Sequence, residues 1–178
     1  RGTDNEVEAD QWELAGYWRG RWGGLRTHAR VSAARIDFAG SRNFAGKVGN
    51  EAVNRATKGS WDGNLVSASG GASYELSLGG LRLRPVAAID YYRLKEDGYT
   101  ETGGGKAIDL VVASRTSDEL AVTGSLAAGI DFGGWDQDSG WLRTEIEAGR
   151  RELVGGSLGA TRAHFAGGQD FTLVPEDR

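Results

Sequence analysis

The stretch GASYELSLGGLRLRPVAAIDYYRL, residues 71–94, decides how the chain is read. After the Gly79-Gly80 pair, every second residue from Leu81 to Tyr91 is apolar (Leu81, Leu83, Pro85, Ala87, Ile89, Tyr91). The alternate set opens with Arg82 and Arg84. A period of two is the signature of a strand whose faces meet different surroundings. The reading turns on which surroundings accept apolar side chains on one face and a row of arginines on the other.

The same alternation recurs along the chain. Residues 11–22 set Trp12, Leu14, Gly16 and Trp18 against Glu13, Ala15, Tyr17, Arg19 and Arg21. Residues 25–34 set Leu25, Thr27, Ala29, Val31 and Ala33 against Arg26, His28, Arg30 and Ser32. Val66, Ala68, Gly70, Ala72, Tyr74 and Leu76 oppose serines and Glu75. Val122, Leu126, Ala128, Ile130 and Phe132 oppose Thr123, Ser125 and Asp131. Leu142, Thr144, Ile146 and Ala148 oppose Arg143, Glu145, Glu147 and Arg151. About six strands follow, with FTLVPEDR at 171–178 a candidate seventh, and no long helical stripe competes.

Connections alternate in length. WGGL at 22–25, LGGL at 78–81 and FGGWDQDSGW at 132–141 are short, whereas 39–60, 94–119 and 152–170 are long and polar. The short turns therefore fall at one end of the sheet and the long loops at the other. Within the second loop, AIDLVVASR at 107–115 reads as a hairpin extension beyond the sheet. Aromatics (Trp12, Trp18, Trp22, Trp61, Tyr74) bracket the strands, and about ten tilted residues span roughly 23 Å, the height of an outer-membrane apolar band. Pro85, which has no N–H for the ladder, predicts a bulge or other irregularity.

Composition narrows the class. With net charge −4 and a pI near 5.3 the chain lacks the basic field of a nucleic-acid binder. It has no cysteine, which removes disulfides and thiolate chemistry. A mean hydropathy of −0.44 fits a soluble protein and a polar-lumen barrel equally. The chain has no Met and begins at Arg1, from which we expect an N-terminus removed or lying outside the sequence.

Three settings accept such strands: a soluble antiparallel sandwich, a membrane barrel, and a soluble barrel or lectin-like module. Rows such as Val66, Ala68, Gly70, Ala72 offer little bulk for a packed core. Turn asymmetry and aromatic girdles add to that, and the membrane barrel is favoured. Six or seven strands fall below the usual minimum of about eight, which predicts part of a barrel.

Three segments carry a resemblance: YWRGRWGGLRTHARVSAARIDFAGSRNFAG, GASYELSLGGLRLRPVAAIDYYRLKEDGYTETGGG and GWLRTEIEAGRRELVGGSLGATRAHFAGG. With the pattern G-x-x-Y-x-x-x-x-G-G-L-x-L-x-P-x-A-x-x-x-Y-x-R and the Gly-Tyr-Thr-Glu loop at 98–101, the chain resembles the C-terminal translocator barrel of autotransporters, the type V secretion proteins, over most of residues 10–175. The resemblance implies an all-β, antiparallel up-and-down meander forming part of a transmembrane β-barrel of about twelve strands when complete. It implies a Gram-negative outer-membrane location, export of an N-terminal passenger, and as partners the membrane lipid, the chain's own passenger domain and the barrel-assembly machinery. It also implies a pore helix, earlier strands and a terminal aromatic strand. The chain ends at Pro175-Glu176-Asp177-Arg178, so residues 1–178 are expected to be a partial barrel without its first and last strands.

On this reading Arg19, Arg21, Arg26, Arg30, Arg82, Arg84, Asp90, Glu145 and Glu147 line the lumen. Leu83, Ile89, Tyr91, Leu126, Ile130, Phe132 and Ile146 face lipid. No enzymatic activity, metal, cofactor or nucleic acid is expected. His28 and His164 have no Ser or Asp at a catalytic spacing, TGGGK at 102–106 departs from a phosphate loop, and DQDSG at 136–140 departs from a calcium loop. The alternative is a secreted or surface β-sandwich binding carbohydrate or protein through its long loops. A hydrolase hidden in the loops is a third possibility, for which no nucleophile and base converge in the sequence.

Overall fold

The structure, a computed structural model, describes residues 5–48, 50–133 and 140–175. Six long strands form an antiparallel meander: β1 (Glu6–Trp22), β2 (Leu25–Val48), β3 (Glu51–Tyr74), β5 (Leu81–Glu96), β8 (Arg115–Gly133) and β9 (Gly140–Ser157). β4 (Leu76–Leu78) continues the line of β3 and pairs with β5. A second, four-stranded sheet joins β6 (Tyr99–Thr100), β7 (Leu110–Val112), β10 (Thr161–Phe165) and β11 (Phe171–Leu173) in the order β11-β10-β7-β6.

Two-residue glycine turns set the register. Trp22 pairs with Leu25 and Leu78 with Leu81. The first glycine of each turn, Gly23 (φ 57°) and Gly79 (φ 62°), has the left-handed φ that a tight hairpin needs at its first central position.

The sheet has almost no dry core. Its buried apolar side chains, Ala34, Ile36, Ala121, Ala127 and Ala163, are few and mostly small. Leu14, at 82 % exposed, and Trp12, at 80 %, are largely uncovered, and Ile89, Leu126 and Ile130 are about half exposed. Among the described residues no second sheet covers the apolar face, which a soluble sandwich requires. An exposed apolar surface this continuous is an interaction surface.

That surface is oblique to the hydrogen bonds. One pairing row runs Gly20, Thr27, Ala72, Ala87, Gly124, Arg150 across the six long strands. On the face of Trp12 and Leu14, the last apolar residue before the first charged or carboxamide side chain towards the long-loop end lies above this row by eight residues on β1 (Trp12). It lies above by six on β2 (Ala33) and six on β3 (Val66). The offset is four on β5 (Tyr91) and four on β8 (Leu120). On β9 the last apolar residue, Ala148, lies two below the row. The lower edge slides from Trp22, two below, to Phe132 and Leu142, eight below. Over five strand-to-strand steps the band thus drops ten residues at its upper edge and six at its lower. With about 3.3 Å per residue and about 4.8 Å between strands, a level apolar band requires strands tilted by roughly 40–55°. Membrane barrels tilt their strands by about 35–45°. The fold is all-β and antiparallel, and β1 and β9 each pair on one side only among the described residues.

Four expectations change. The segment 39–60 is strand: β2 and β3 stay paired from Leu25↔Tyr74 to Val48↔Glu51, carrying a hairpin about 50 Å beyond Ala33. Both its faces lie outside the apolar band, so no hydropathy alternation marked it. The extension near 107–115 is a hairpin beyond the main sheet, as read, but a shorter one: Leu110–Val112 pairs with Tyr99–Thr100, and Arg115 already belongs to β8. Phe171–Leu173 adds to the small sheet beside β10 and is no seventh wall strand. Pro85 causes no bulge. Ser73↔Val86 and Leu76↔Leu83 keep one register, and the ladder merely lapses between them, opposite Pro85. There the Glu75 N–H turns to the Gly24 carbonyl instead (2.8 Å). The register shifts fall elsewhere, at Leu120/Ala121 and Phe132/Gly133.

Register is testable directly. Ser32 and Ser67 are buried register partners with hydroxyl oxygens 2.6 Å apart. Ser32→Cys with Ser67→Cys should crosslink under mild oxidation in this cysteine-free chain, seen as a shift on non-reducing gels. Crosslinking of Ser32→Cys with Ser69→Cys at equal rate would show a slipped register.

Candidate functional site

Parity and register assign each charged side chain to a face. Arg19, Arg21, Arg26, Arg30, Arg82, Arg84, Asp90, Glu145 and Glu147 all fall on one face, as the pairings Arg19↔His28, Arg21↔Arg26, Ser69↔Asp90, Arg82↔Gly129 and Gly129↔Glu145 require. Leu83, Ile89, Tyr91, Leu126, Ile130, Phe132 and Ile146 fall on the other.

The charges form networks across strands. Arg26 binds Glu75 (2.9 Å) and Arg82 binds the same carboxylate (2.6 Å). Arg82 also binds Asp131, which Arg143 holds from β9 (2.6 Å). Arg26, Glu75, Arg82, Asp131 and Arg143 thus alternate in sign from β2 to β9. Arg84 sits on Glu145 (2.5 Å) and Glu147 (3.5 Å), Arg30 on Glu13 (2.6 Å), and Arg151 on Glu119 (2.7 Å). Arg19 lies over the Tyr17 ring (5.6 Å). These pairs are partly exposed, so each contributes little to stability on its own. Together they satisfy a charged surface that remains wet.

Between the networks the same face is lined by small residues: Ser67, Ser69, Gly71 and Ser73 on β3, and Ala88 on β5. The long polar side chains of β2 lie over these positions: Ser67 is buried against Ser32 and Arg30, and His28 covers Gly71. Glu13, Glu75, Glu119, Asp131, Arg143 and Arg151 were absent from the expected lumen set. They share the parity of the residues that were named, and a full count of alternate positions finds them.

A second cluster fastens the small sheet to this same face beyond the apolar band. Arg42 reaches from β2 to Glu101 with two hydrogen bonds (2.9 and 2.6 Å) and donates a third to the Ile108 carbonyl (3.0 Å). The Leu110 N–H donates to the Glu101 carboxylate (3.1 Å). Burial opposes ionisation of Glu101, but the Arg42 guanidinium and the Leu110 N–H outweigh it and hold the carboxyl below its usual 4.5. Burial pushes the Tyr99 phenol up. Tyr99 stacks on Trp61 (4.3 Å) and Trp61 on Phe38 (5.2 Å). Trp61, whose register partner is Phe38, therefore lies on the charged face and is no part of an outward girdle. Trp12, Trp18, Trp22 and Tyr74 do point outward. Arg115 closes the cluster by gripping Glu96 (2.5 Å) and the Thr161 hydroxyl (2.9 Å).

The remaining candidates resolve locally. In TGGGK, Gly103 (φ 107°) and Gly105 (φ 83°) shape a loop whose Gly104 and Gly105 N–H groups donate to the Asp109 carboxylate (2.7 and 3.0 Å). The anion that such a nest favours is the chain's own side chain. His28 lies on the charged face beside Arg19, and His164 on β10 contacts Asp170 (3.1 Å). DQDSG lies largely outside the described residues. Among the described residues no cluster of three or more His, Asp or Glu is placed to hold a metal ion.

A family comparison matches the chain to the Autotransporter beta-domain over residues 1–178. A search of curated proteins finds no match.

The clamp generates two expectations. Arg42→Ala leaves Glu101, 6 % exposed, without its cation and should loosen the small sheet by about 2–3 kcal/mol, read as lost near-ultraviolet dichroism of the Trp61 stack. Because the folded-state value of Glu101 is depressed, its contribution is fully present above the unfolded value of about 4.5 and is lost as pH falls through the folded one. The dichroism should hold at pH 5 and decay only in stronger acid. Decay already near pH 6 would contradict the assignment.

Proposed function

The chain belongs to the autotransporter β-domain family, and from that premise we propose that its charged face lines the aqueous bore of an outer-membrane translocator. The family's role is that of translocator and anchor in type V secretion at the Gram-negative outer membrane, and it is not an enzyme family. The finer reading is that an N-terminal passenger crosses the membrane with the help of this bore, and that the barrel then anchors it. Outer-membrane lipid meets the apolar face, and the barrel-assembly machinery inserts the strands.

One observation carries this reading. The apolar band is level only if the strands tilt as barrel strands do, and the ionic networks then lie on the enclosed side. Backbone groups at an open sheet edge have no partner in hydrocarbon. We therefore read the six strands as part of a wall, with β1 and β9 meeting further strands. Fixed charges of both signs keep such a bore hydrated.

Passenger export is tested by protease accessibility of a passenger fused upstream of the full protein in living cells. Surface exposure is expected for the intact domain. The lipid assignment is tested by Leu126→Arg, at the middle of the band on β8. It should cost about 2–4 kcal/mol of insertion stability, measured by refolding into bilayers. Arg82→Ala, on the wet side, should insert normally. Normal insertion of Leu126→Arg, or extraction of the domain into buffer without detergent, would overturn the reading.

A further inference from the structure

Just above the apolar band, the outward face of β5 differs from its neighbours. Tyr91 is the last apolar residue, and the next two outward positions are Arg93 and Lys95, both exposed. Neither forms an ion pair among the described residues. At the same border β1 presents Asp10. Arg35 of β2 is held by Asp62 (2.7 Å) and Asp37 (3.5 Å), and Arg150 of β9 by Glu152 (2.6 Å). Cations at the border without an ion pair among the described residues are therefore confined to β5, where Asp118 of β8 stands opposite Arg93 and Asp97 follows Lys95 along the chain.

Its surroundings are hydrogen-bonding groups. Lys95 pairs in register with Asn64 on β3 and with Thr116 on β8, so a carboxamide and a hydroxyl flank the ammonium on the same face within a row about 10 Å long. Arg93 lies one step below, between Val66 and Asp118. Asp118 is the nearest acid in register, and the Ser157 hydroxyl donates to it (3.4 Å). Directly beneath come Tyr91, Ala68 and Leu120, an apolar surface continuous with the band.

We propose that Arg93, Lys95, Asn64 and Thr116, at the long-loop end that outer-membrane barrels turn to the cell exterior, form a binding site for the phosphate of an anionic lipid headgroup in the outer leaflet, with the acyl chains lying on Tyr91 and Leu120. Two cations and two neutral polar groups match a phosphate, whose oxygens accept hydrogen bonds and carry charge. The position is the level at which headgroup phosphates meet an aromatic border. The inference rests on the apolar face being the lipid face, and it adds a specific ligand to that face.

The test uses the full protein purified from outer membranes in mild detergent, with retained diphosphoryl lipid A measured by native mass spectrometry. Arg93→Ser with Lys95→Ser should retain about tenfold less than the parent. Lys47→Ser with Lys106→Ser, which removes exposed cations far from the band, should retain as much as the parent. A second measurement needs no variant: the parent, stripped and re-exposed, should take up diphosphoryl lipid A and not the fully dephosphorylated form. Equal retention by both double variants, or equal uptake of both lipids, overturns the site. In those cases the protein still needs detergent. A protein that stays in buffer without detergent overturns the lipid face itself, which separates the two failures.

Discussion

In a pleated strand adjacent residues point in opposite directions, so a wall one strand thick cannot choose its two faces independently of the chain's local sequence. Every other feature of this molecule follows from that constraint combined with the satisfaction of backbone hydrogen bonds. Where the wall crosses hydrocarbon, one parity must be apolar and the other is free to carry charge. The parity of Leu81 to Tyr91 against Arg82 and Arg84 is that division written in sequence. The pairing rows extend it coherently from Trp12 on β1 to Ile146 on β9.

Tilt links the faces to the bore. Because the apolar band drops across the sheet relative to the hydrogen-bond rows, residues at one membrane depth are not register partners. The ionic network from Arg26 to Arg143 slants with that band, from one residue below the row at Arg26 to seven below at Asp131 and Arg143, and links the strands through charge of alternating sign. The network sits near the short-turn end, while the Arg42–Glu101 clamp and the Trp61 stack hold the small sheet beyond the opposite border. Between them the inner face carries the Arg30–Glu13 and Arg151–Glu119 pairs, His28 and Asp90 among serine, glycine and alanine. Fixed charge of both signs along the inner face suits a hydrated wall more than a binding pocket.

The alternation was legible wherever one face met the apolar band, and it assigned strands and facing together. It failed beyond the band for a physical reason. From residue 36 to 63 the outward face of the β2–β3 hairpin is polar or small, while the inner face mixes Ile36, Phe38, Phe44, Val53 and Trp61 with Arg42, Arg55 and glycines, so no consistent apolar parity marks a strand. Residue type also misled where parity did not: Trp61 looks like a girdle residue, yet its odd position on β3 places it with Ser67 and Ser69 on the charged face. Glu101 could not be foreseen as a partner of Arg42, because the contact joins segments 59 residues apart through a loop without periodicity. Pro85 shows the reverse case, a local irregularity read correctly from chemistry but expressed as a lapse in the ladder rather than an extra residue.

The central claim is that one parity meets hydrocarbon and the other enclosed water, and β5 tests it most directly. Single cysteines placed in turn from Leu81 to Tyr91, in the full protein in outer membranes, would be reacted with a charged, membrane-impermeant maleimide. The account predicts labelling at Arg82, Arg84, Val86, Ala88 and Asp90 and protection at Leu81, Leu83, Pro85, Ala87, Ile89 and Tyr91. Uniform labelling along the strand, or labelling of the second set alone, would contradict it.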